Sequence, residues 1–435
     1  MGAFDQATAA ALAAGPAQPA WLEPFRARAR AAWLGAALPD RKTEAWRHTS
    51  LAALTGGDYL RFGADDHAPL DAGCAAIAGL PGQRLVFVNG SLRRELCSAA
   101  AVAGVTRFNE ADAAQRAVIE AHLGLAAGGG NPFVALNGSW LEDGLLLHVA
   151  DAAAACEPLH IVHLTTAGAR PFSVRQRLLV VLEDNCQATV VEHFASTGDA
   201  QNCFVSGVTE LALKAGARLT HYRLHLEEEH AIHIGGVYAR LQRNAALDSF
   251  ALGLGGQLKR LDLVIHHEGE GSECRLNGVY LAKGRQHIDL HATIEHEAPG
   301  GTTSESFRGI VNDAARAVFN GRIHIHPGAQ KTIAELSNRN LLLTNTAEVY
   351  TKPELEIYAD DVRCAHGATV SQIDDQTLYY MRSRGIDRRE AEIMLSFGFI
   401  NELLAQLRHE PLRQLLQPLL GRWFGADSRL TRHLP

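Results

Sequence analysis

Long apolar runs are missing from this 435-residue chain. Nothing in it approaches the ~18 apolar residues in a row that a membrane-spanning helix needs. Ahead of the apolar stretch Ala9 to Ala14 stands Asp5 and no basic segment, so no secretion signal is read there. Gln6 occupies the place where N-myristoylation wants Ser or Thr. Cysteine is sparse and odd in number: Cys74, Cys97, Cys156, Cys186, Cys203, Cys274 and Cys364, with no Cys-x-x-Cys. That excludes a disulfide framework and a four-thiolate zinc site as first readings, and reduced thiols in a cytoplasmic protein are expected. Nucleotide and hydrolase signatures are absent as well. There is no Gly-x-x-x-x-Gly-Lys-Ser/Thr, and Gly253, Gly255 and Gly256 precede Gln257-Leu258-Lys259 at the wrong spacing for a phosphate loop. Neither Gly-x-Ser-x-Gly nor His-Glu-x-x-His occurs. A chain without these is expected not to be an enzyme, and any ATP chemistry has to come from a second chain.

Positive charge is scarce where it would matter for nucleic acid. The net charge is −7, yet residues 376–435 hold nine Arg against six acids, and residues 1–50 six bases against four acids. The acid is therefore concentrated in the middle, which repels phosphate and argues against nucleic acid as partner. With 47% hydrophobic and 20% charged residues, the composition is globular, with ample core-forming material.

Three regions follow from the patterning: residues 1–150 helical and mixed α/β, 151–375 strand-rich, and 376–435 helical. In the first, Phe25 to Trp33 alternates Ala and Arg, good helix formers. Leu85 to Val88 followed by Asn89-Gly90 reads as a strand entering a tight turn, and Val134 to Leu136 followed by Asn137-Gly138 repeats that grammar. In the second region, His287 to Ile294, Arg322 to His326 and Glu354 to Ile357 alternate polar and apolar at period two. Small residues recur there at Ala188, Ala217, Ala246, Cys274, Ser304, Ala334 and Cys364, 28 to 30 residues apart. Such a ladder on one face of stacked strands is what a solenoid coil requires. On pattern alone a pair of β-sandwiches stays open. In the third region Asp387 is an N-cap with Glu390 placed for a capping box. Ile393, Phe397, Ile400, Leu404 and Leu407 then form one apolar stripe, and Leu412 to Phe424 a second that Pro418 should kink.

Candidate ligands are few. His324 and His326 share a strand face, as do His287 and His291, but no third ligand follows at metal-site spacing, and outward-facing histidines on a soluble sheet account for them. Cys364 and His366 lie two apart, so on a strand they point the same way; thiolate and imidazole suit iron, zinc or copper. Two ligands are not a site, and Cys364 is also simply the small residue of the last coil.

The stretch from Phe319 onward resembles a known family. Phe319-Asn-Gly-Arg-Ile323, Gln330-Lys-Thr332, Ser337 to Leu343, Lys352 to Ile357, Asp360-Asp361, His366-Gly-Ala-Thr-Val370, Asp374 and Leu378 to Ile386 follow the order and spacing of the SufB/SufD family of SUF iron–sulfur cluster assembly. Lys42-Thr-Glu-Ala-Trp-Arg47 and Asn131 to Asn137 resemble segments of its SufD branch; Ala45, His48 and Ser371 depart from the family pattern. The resemblance implies a right-handed parallel β-helix between helical ends. It implies pairing with SufB through that helix and docking of the ATPase SufC on the C-terminal helical region, here the stripe Ile393, Phe397, Ile400, Leu404 and Leu407. It implies that Cys364 and His366 lie at the interface where a transient iron–sulfur cluster forms, with further ligands from SufB. No cofactor held by the isolated chain is implied, ATP enters only through SufC, and the isolated chain can pair with itself. Two other readings remain: a cluster-carrying SufB-like scaffold, and a solenoid enzyme acting on polysaccharide.

Overall fold

The computed structural model describes residues 4–12, 19–60, 62, 70, 76–98, 103–127, 130–152, 157–166, 170–197, 202–227 and 230–425. Cys74 and Cys156 lie outside them. Helices α1 (Gln6–Ala11), α2 (Glu23–Gly35) and α3 (Ala52–Thr55) lead to strands β1 (Gln83–Val88), β2 (Ser91–Leu92) and β3 (Val105–Arg107). Helices α4 (Ala113–His122) and α5 (Pro132–Ser139) follow, and then, among the described residues, sixteen strands. These are β4 (Leu145–Val149), β5 (Leu159–Thr165), β6 (Phe172–Leu182), β7 (Gln187–Ser196), β8 (Cys203–Leu213), β9 (Arg218–Leu226), β10 (Ile232–Leu241) and β11 (Ala246–Leu254). They continue as β12 (Leu258–His267), β13 (Glu273–Ala282), β14 (His287–His296), β15 (Thr302–Val311), β16 (Arg316–Ile325), β17 (Ile333–Leu342), β18 (Glu348–Ile357) and β19 (Arg363–Gln372). Helices α6 (Asp375–Ser383), α7 (Arg388–Leu404) and α8 (Glu410–Trp423) close the chain.

From β4 on, consecutive strands alternate between two sheets. Even strands pair in parallel in one, odd strands in the other, so the chain winds as a two-sheet β-solenoid. Sheet order runs β19 to β5 and then β1–β2 on the odd side, and β18 to β4 and then β3 on the even side. β1 and β4 are thus already rungs, and the solenoid begins before residue 151. Inward residues of both sheets, among them Val180, Leu263, Leu290 and Ile323 on the even side and Leu219, Leu276 and Leu336 on the odd side, merge in one apolar column.

The small-residue ladder is right in period and slipped in phase. Ala188, Cys274, Ala334 and Cys364 do share one inward column, but Leu219, Leu247 and Thr303 complete it in place of Ala217, Ala246 and Ser304. A one-residue slip turns Ala246 and Ser304 to the opposite face. What sets the phase is a corner, where one residue per coil takes the left-handed conformation: Asn185, Gly216, Asn244, Gly271, Gly300 and Lys331, all with φ between 57° and 70°. Each donates its N–H to a carbonyl one coil on, for example Gly216 to Arg243 and Gly300 to Gln330, both at 2.8 Å. Asn and Gly tolerate this backbone; Lys does not. Lys331→Gly is expected to raise stability by about 0.5–1 kcal/mol, read as a higher urea midpoint. An unchanged midpoint would mean that the corner holds Lys331 without strain.

Two local expectations are corrected. Val134 to Leu136 is helix, not strand: Asn131 caps α5 by accepting from the Phe133 N–H, and Pro132 starts the first turn. Asp387 caps α7 through the Arg389 N–H, so the capping box with Glu390 does not close this end. The Asn89-Gly90 turn is found as expected, with both residues at positive φ between β1 and β2. α8 continues through Pro418.

Candidate functional site at the last coil

The two ends of the solenoid differ. At the start, short antiparallel strands cap both sheets, β2 on β1 and β3 on β4. At the finish β18 and β19 are edge strands, and among the described residues nothing pairs with their outer sides. Most residues of both strands are exposed or half-buried, whereas the coils before them are closed. Pro353, which cannot donate a ladder hydrogen bond, sits in β18, where an edge strand tolerates it. An unpaired pair of edges with apolar Val370 and Ile357 showing 45% and 43% of their surface is a template for another chain.

Cys364 and His366 lie on β19, opposite Ala334 and Leu336 of β17. His366 is exposed and Cys364 half-buried. Burial pushes the Cys364 thiol up, and a backbone hydrogen bond at Ala334 offsets this only in part. The thiol is therefore protonated at neutral pH, and a metal would have to displace the proton. Below this coil a polar ladder holds the strands in place. The Asn338 amide donates to the Tyr280 hydroxyl at 2.9 Å, and Thr351 donates to Asn338 at 2.8 Å, joining β13, β17 and β18.

The helical stripe goes elsewhere than expected. Phe397, Ile400, Leu404 and Leu407 are buried against Tyr222, Phe250, Leu252, Val279, Ile310 and neighbours on the outer face of the odd-strand sheet, and Ile393 is buried too. They attach α7 to the body and cannot dock a partner without leaving it. The exposed side of this region is instead α6 and the turn after it, where Tyr379 and Tyr380 show 74% and 58% of their surface.

The N-terminal signature is a clamp. Trp46 is buried under the Arg260 guanidinium, 4.1 Å from the ring centroid, and Arg260 donates to the Ala45 carbonyl at 2.6 Å. Arg260 also pairs with Asp289 at 2.6 Å, and Asp289 accepts from Thr49. Glu44 reaches Lys352 of the edge strand β18 at 2.6 Å. His287 joins the clamp through Thr49 at 2.9 Å, which accounts for it without a metal.

Sequence reasoning missed the charged interior. Inside the coils β7 to β12, Glu192 accepts from Arg223, His221 and Thr209, and Glu227 takes His233 at 2.6 Å and Lys259 at 2.9 Å. Burial would raise the Glu192 carboxyl, but Arg223 and His221 outweigh it and hold it ionised. Burial pushes His163 and His225 down to about 3, so both stay neutral. Another buried acid, Glu305, has no partner at all among the described residues. The corner residues Asn185, Gly216 and Asn244 carry the signal that could have phased these strands and put those side chains inside.

Comparison with known proteins agrees with this architecture. Residues 163–399 match the family described as SUF system FeS cluster assembly, SufBD core domain, and residues 8–161 match the SufBD protein N-terminal region. Iron–sulfur cluster assembly protein SufD of Escherichia coli is 32% identical over 395 residues, covering 90% of each chain. An iron–sulfur cluster assembly SufBD family protein of Synechocystis is 32% identical over 386 residues, 85% of this chain and 84% of the relative. Protein ABCI7, chloroplastic, of Arabidopsis thaliana is 27% identical over 290 residues, 65% of this chain and 61% of the relative. No described helix is long and apolar enough to cross a membrane. With a two-sheet solenoid core, helices at both ends and family matches over nearly all its length, the chain belongs to the SufB/SufD family of iron–sulfur cluster assembly proteins.

Proposed function

We propose that this chain is a SufD-type scaffold subunit that pairs with a SufB-type subunit through its last coil. The nascent cluster is then held between them, with His366 and Cys364 facing it and the remaining ligands supplied by the partner. The observation that carries this reading is the pair of unpaired edges at β18 and β19, with exposed His366 on the same coil. Strand addition satisfies the open backbone groups and covers Val370 and Ile357 together. The ATPase SufC docks on the exposed side of the C-terminal helices around Tyr379 and Tyr380, because the stripe on α7 is already used. In this role the chain catalyses nothing by itself, holds no cofactor when isolated and meets ATP only through SufC. The same edges let the isolated chain pair with itself.

Co-expression with SufB and SufC, followed by affinity capture on this chain, tests the reading. Both are expected in the captured material. An Arg at Val370 should release SufB and keep SufC, whereas Tyr379→Ala with Tyr380→Ala should do the reverse. Capture of neither protein by the unmodified chain would remove the proposal.

A further inference from the structure

Among the described residues, two clusters bring three metal-ligating atoms within 4.8 Å of one another: His225, Glu227 and His233, and Glu295, His324 and His326. The first is sealed in the solenoid, and the Lys259 ammonium lies 2.9 Å from Glu227 Oε2, where a cation would sit. The second is open to solvent, and its nearby cation, Arg322, takes the carboxylate oxygen that the imidazoles do not use. It lies on the outer face of the even-strand sheet, with Glu295 on β14, His324 on the neighbouring β16 and His326 just beyond it. Its side chains are 15%, 18% and 39% exposed, so solvent and ions reach it.

Both imidazoles aim at one atom. His324 Nδ1 is 2.6 Å and His326 Nε2 3.0 Å from Glu295 Oε2, and the two rings are 4.1 Å apart. Arg322 takes the other carboxylate oxygen, Oε1, through Nη1 and is itself fixed by Glu356 through two bonds at 2.7 and 3.0 Å. Arg322 therefore orients the carboxylate and leaves Oε2 to the imidazoles alone, as an outer partner does for a metal ligand. Two imidazoles and one carboxylate suit borderline divalent ions, and three protein ligands leave a position open.

We propose that Glu295, His324 and His326 form a binding site for one divalent first-row transition-metal ion of the Zn2+, Co2+ or Fe2+ type, separate from the last-coil pair Cys364 and His366. The spacing of His324 and His326 alone did not reveal it, because the third ligand comes from the preceding coil of the same sheet.

The full-length chain, stripped with chelator, is titrated with Zn2+ by calorimetry and with Co2+ by visible absorption. One equivalent is expected, with the visible bands of nitrogen- and oxygen-ligated Co2+. The equivalent should be lost in His324→Ala/His326→Ala and in Glu295→Gln, and kept in Cys364→Ala/His366→Ala. His326→Gln, at the most exposed ligand, guards against misfolding: with a wild-type circular dichroism spectrum it should still lose the Co2+ bands. Absence of binding by the wild-type chain, binding that survives His326→Gln, or binding lost with Cys364 and His366 would each overturn the proposal. None of these outcomes bears on partner capture, so the scaffold reading stands or falls separately.

Discussion

His366→Ala is expected to leave the captured complex intact and to reduce iron–sulfur cluster formation in cells to the level without this subunit. The reasoning is positional. His366 continues an inward-facing column, Leu276, Glu305, Leu336 and then His366, but in the last coil that column ends in solvent. The imidazole is exposed, so removing it forfeits no packing. A loss of assembly activity without a loss of stability or partner would therefore come from chemistry at this side chain. Cys364→Ala should act more weakly, because its half-buried thiol is held protonated and alanine is already the residue opposite it at Ala334. The order of effects, His366 above Cys364, is read by the enzyme activity of an iron–sulfur reporter in a strain lacking this subunit. Wild-type reporter activity with His366→Ala would end the role assigned to the imidazole; a complex that falls apart would reassign it to docking.

How much of this was legible beforehand depends on the kind of signal. Alternation along His287 to Ile294 and a recurrence near thirty residues led to a solenoid, because both follow from backbone geometry that every coil repeats. The phase did not follow, because small residues are common in this chain, and the corners that set it use Asn and Lys as well as Gly. With Ser304 in the ladder in place of Thr303, the neighbouring Glu305 could not be placed inside, where the register puts it between Leu276 and Leu336. The stripe from Ile393 to Leu407 was correctly seen as an apolar face, but an apolar face does not say whether it meets the body or a partner. The clamp of Trp46 and Arg260 joins residues over two hundred positions apart, and nothing local in the sequence announces it. The same holds for Glu295 with His324 and His326: neighbours across a parallel sheet are a full coil apart in sequence.

Glu305 carries the second large effect. Its side chain is 1% exposed, between Leu276 and Leu336, and neither carboxylate oxygen has a hydrogen-bond partner among the described residues. Burial pushes its carboxyl up to about 8, against an ordinary 4.5. In the folded chain the proton is thus retained up to about pH 8, whereas the unfolded chain releases it above about pH 4.5. Between those values the folded state binds more protons, so its stability falls as pH rises and levels off above about 8. At about 1.4 kcal/mol for each pH unit, the whole window is worth several kcal/mol, a sizeable part of the ~5–15 kcal/mol that holds an ordinary domain. Buried histidines such as His193, pushed down to about 4, act in the opposite sense and cost stability as pH falls below about 6.5. A direct pH profile mixes the two, so the comparison must be between variants. Glu305→Gln keeps the shape and cannot ionise; its stability relative to wild type should rise steadily from pH 5 to pH 8. Glu305→Leu also removes the buried polar atoms and extends the apolar column, and should gain about 2–4 kcal/mol at pH 8. Urea midpoints for the three proteins across pH 5 to 9 decide it. A constant difference between wild type and Glu305→Gln would mean that the carboxyl does not titrate in this window, and that a donor reaches it in solution.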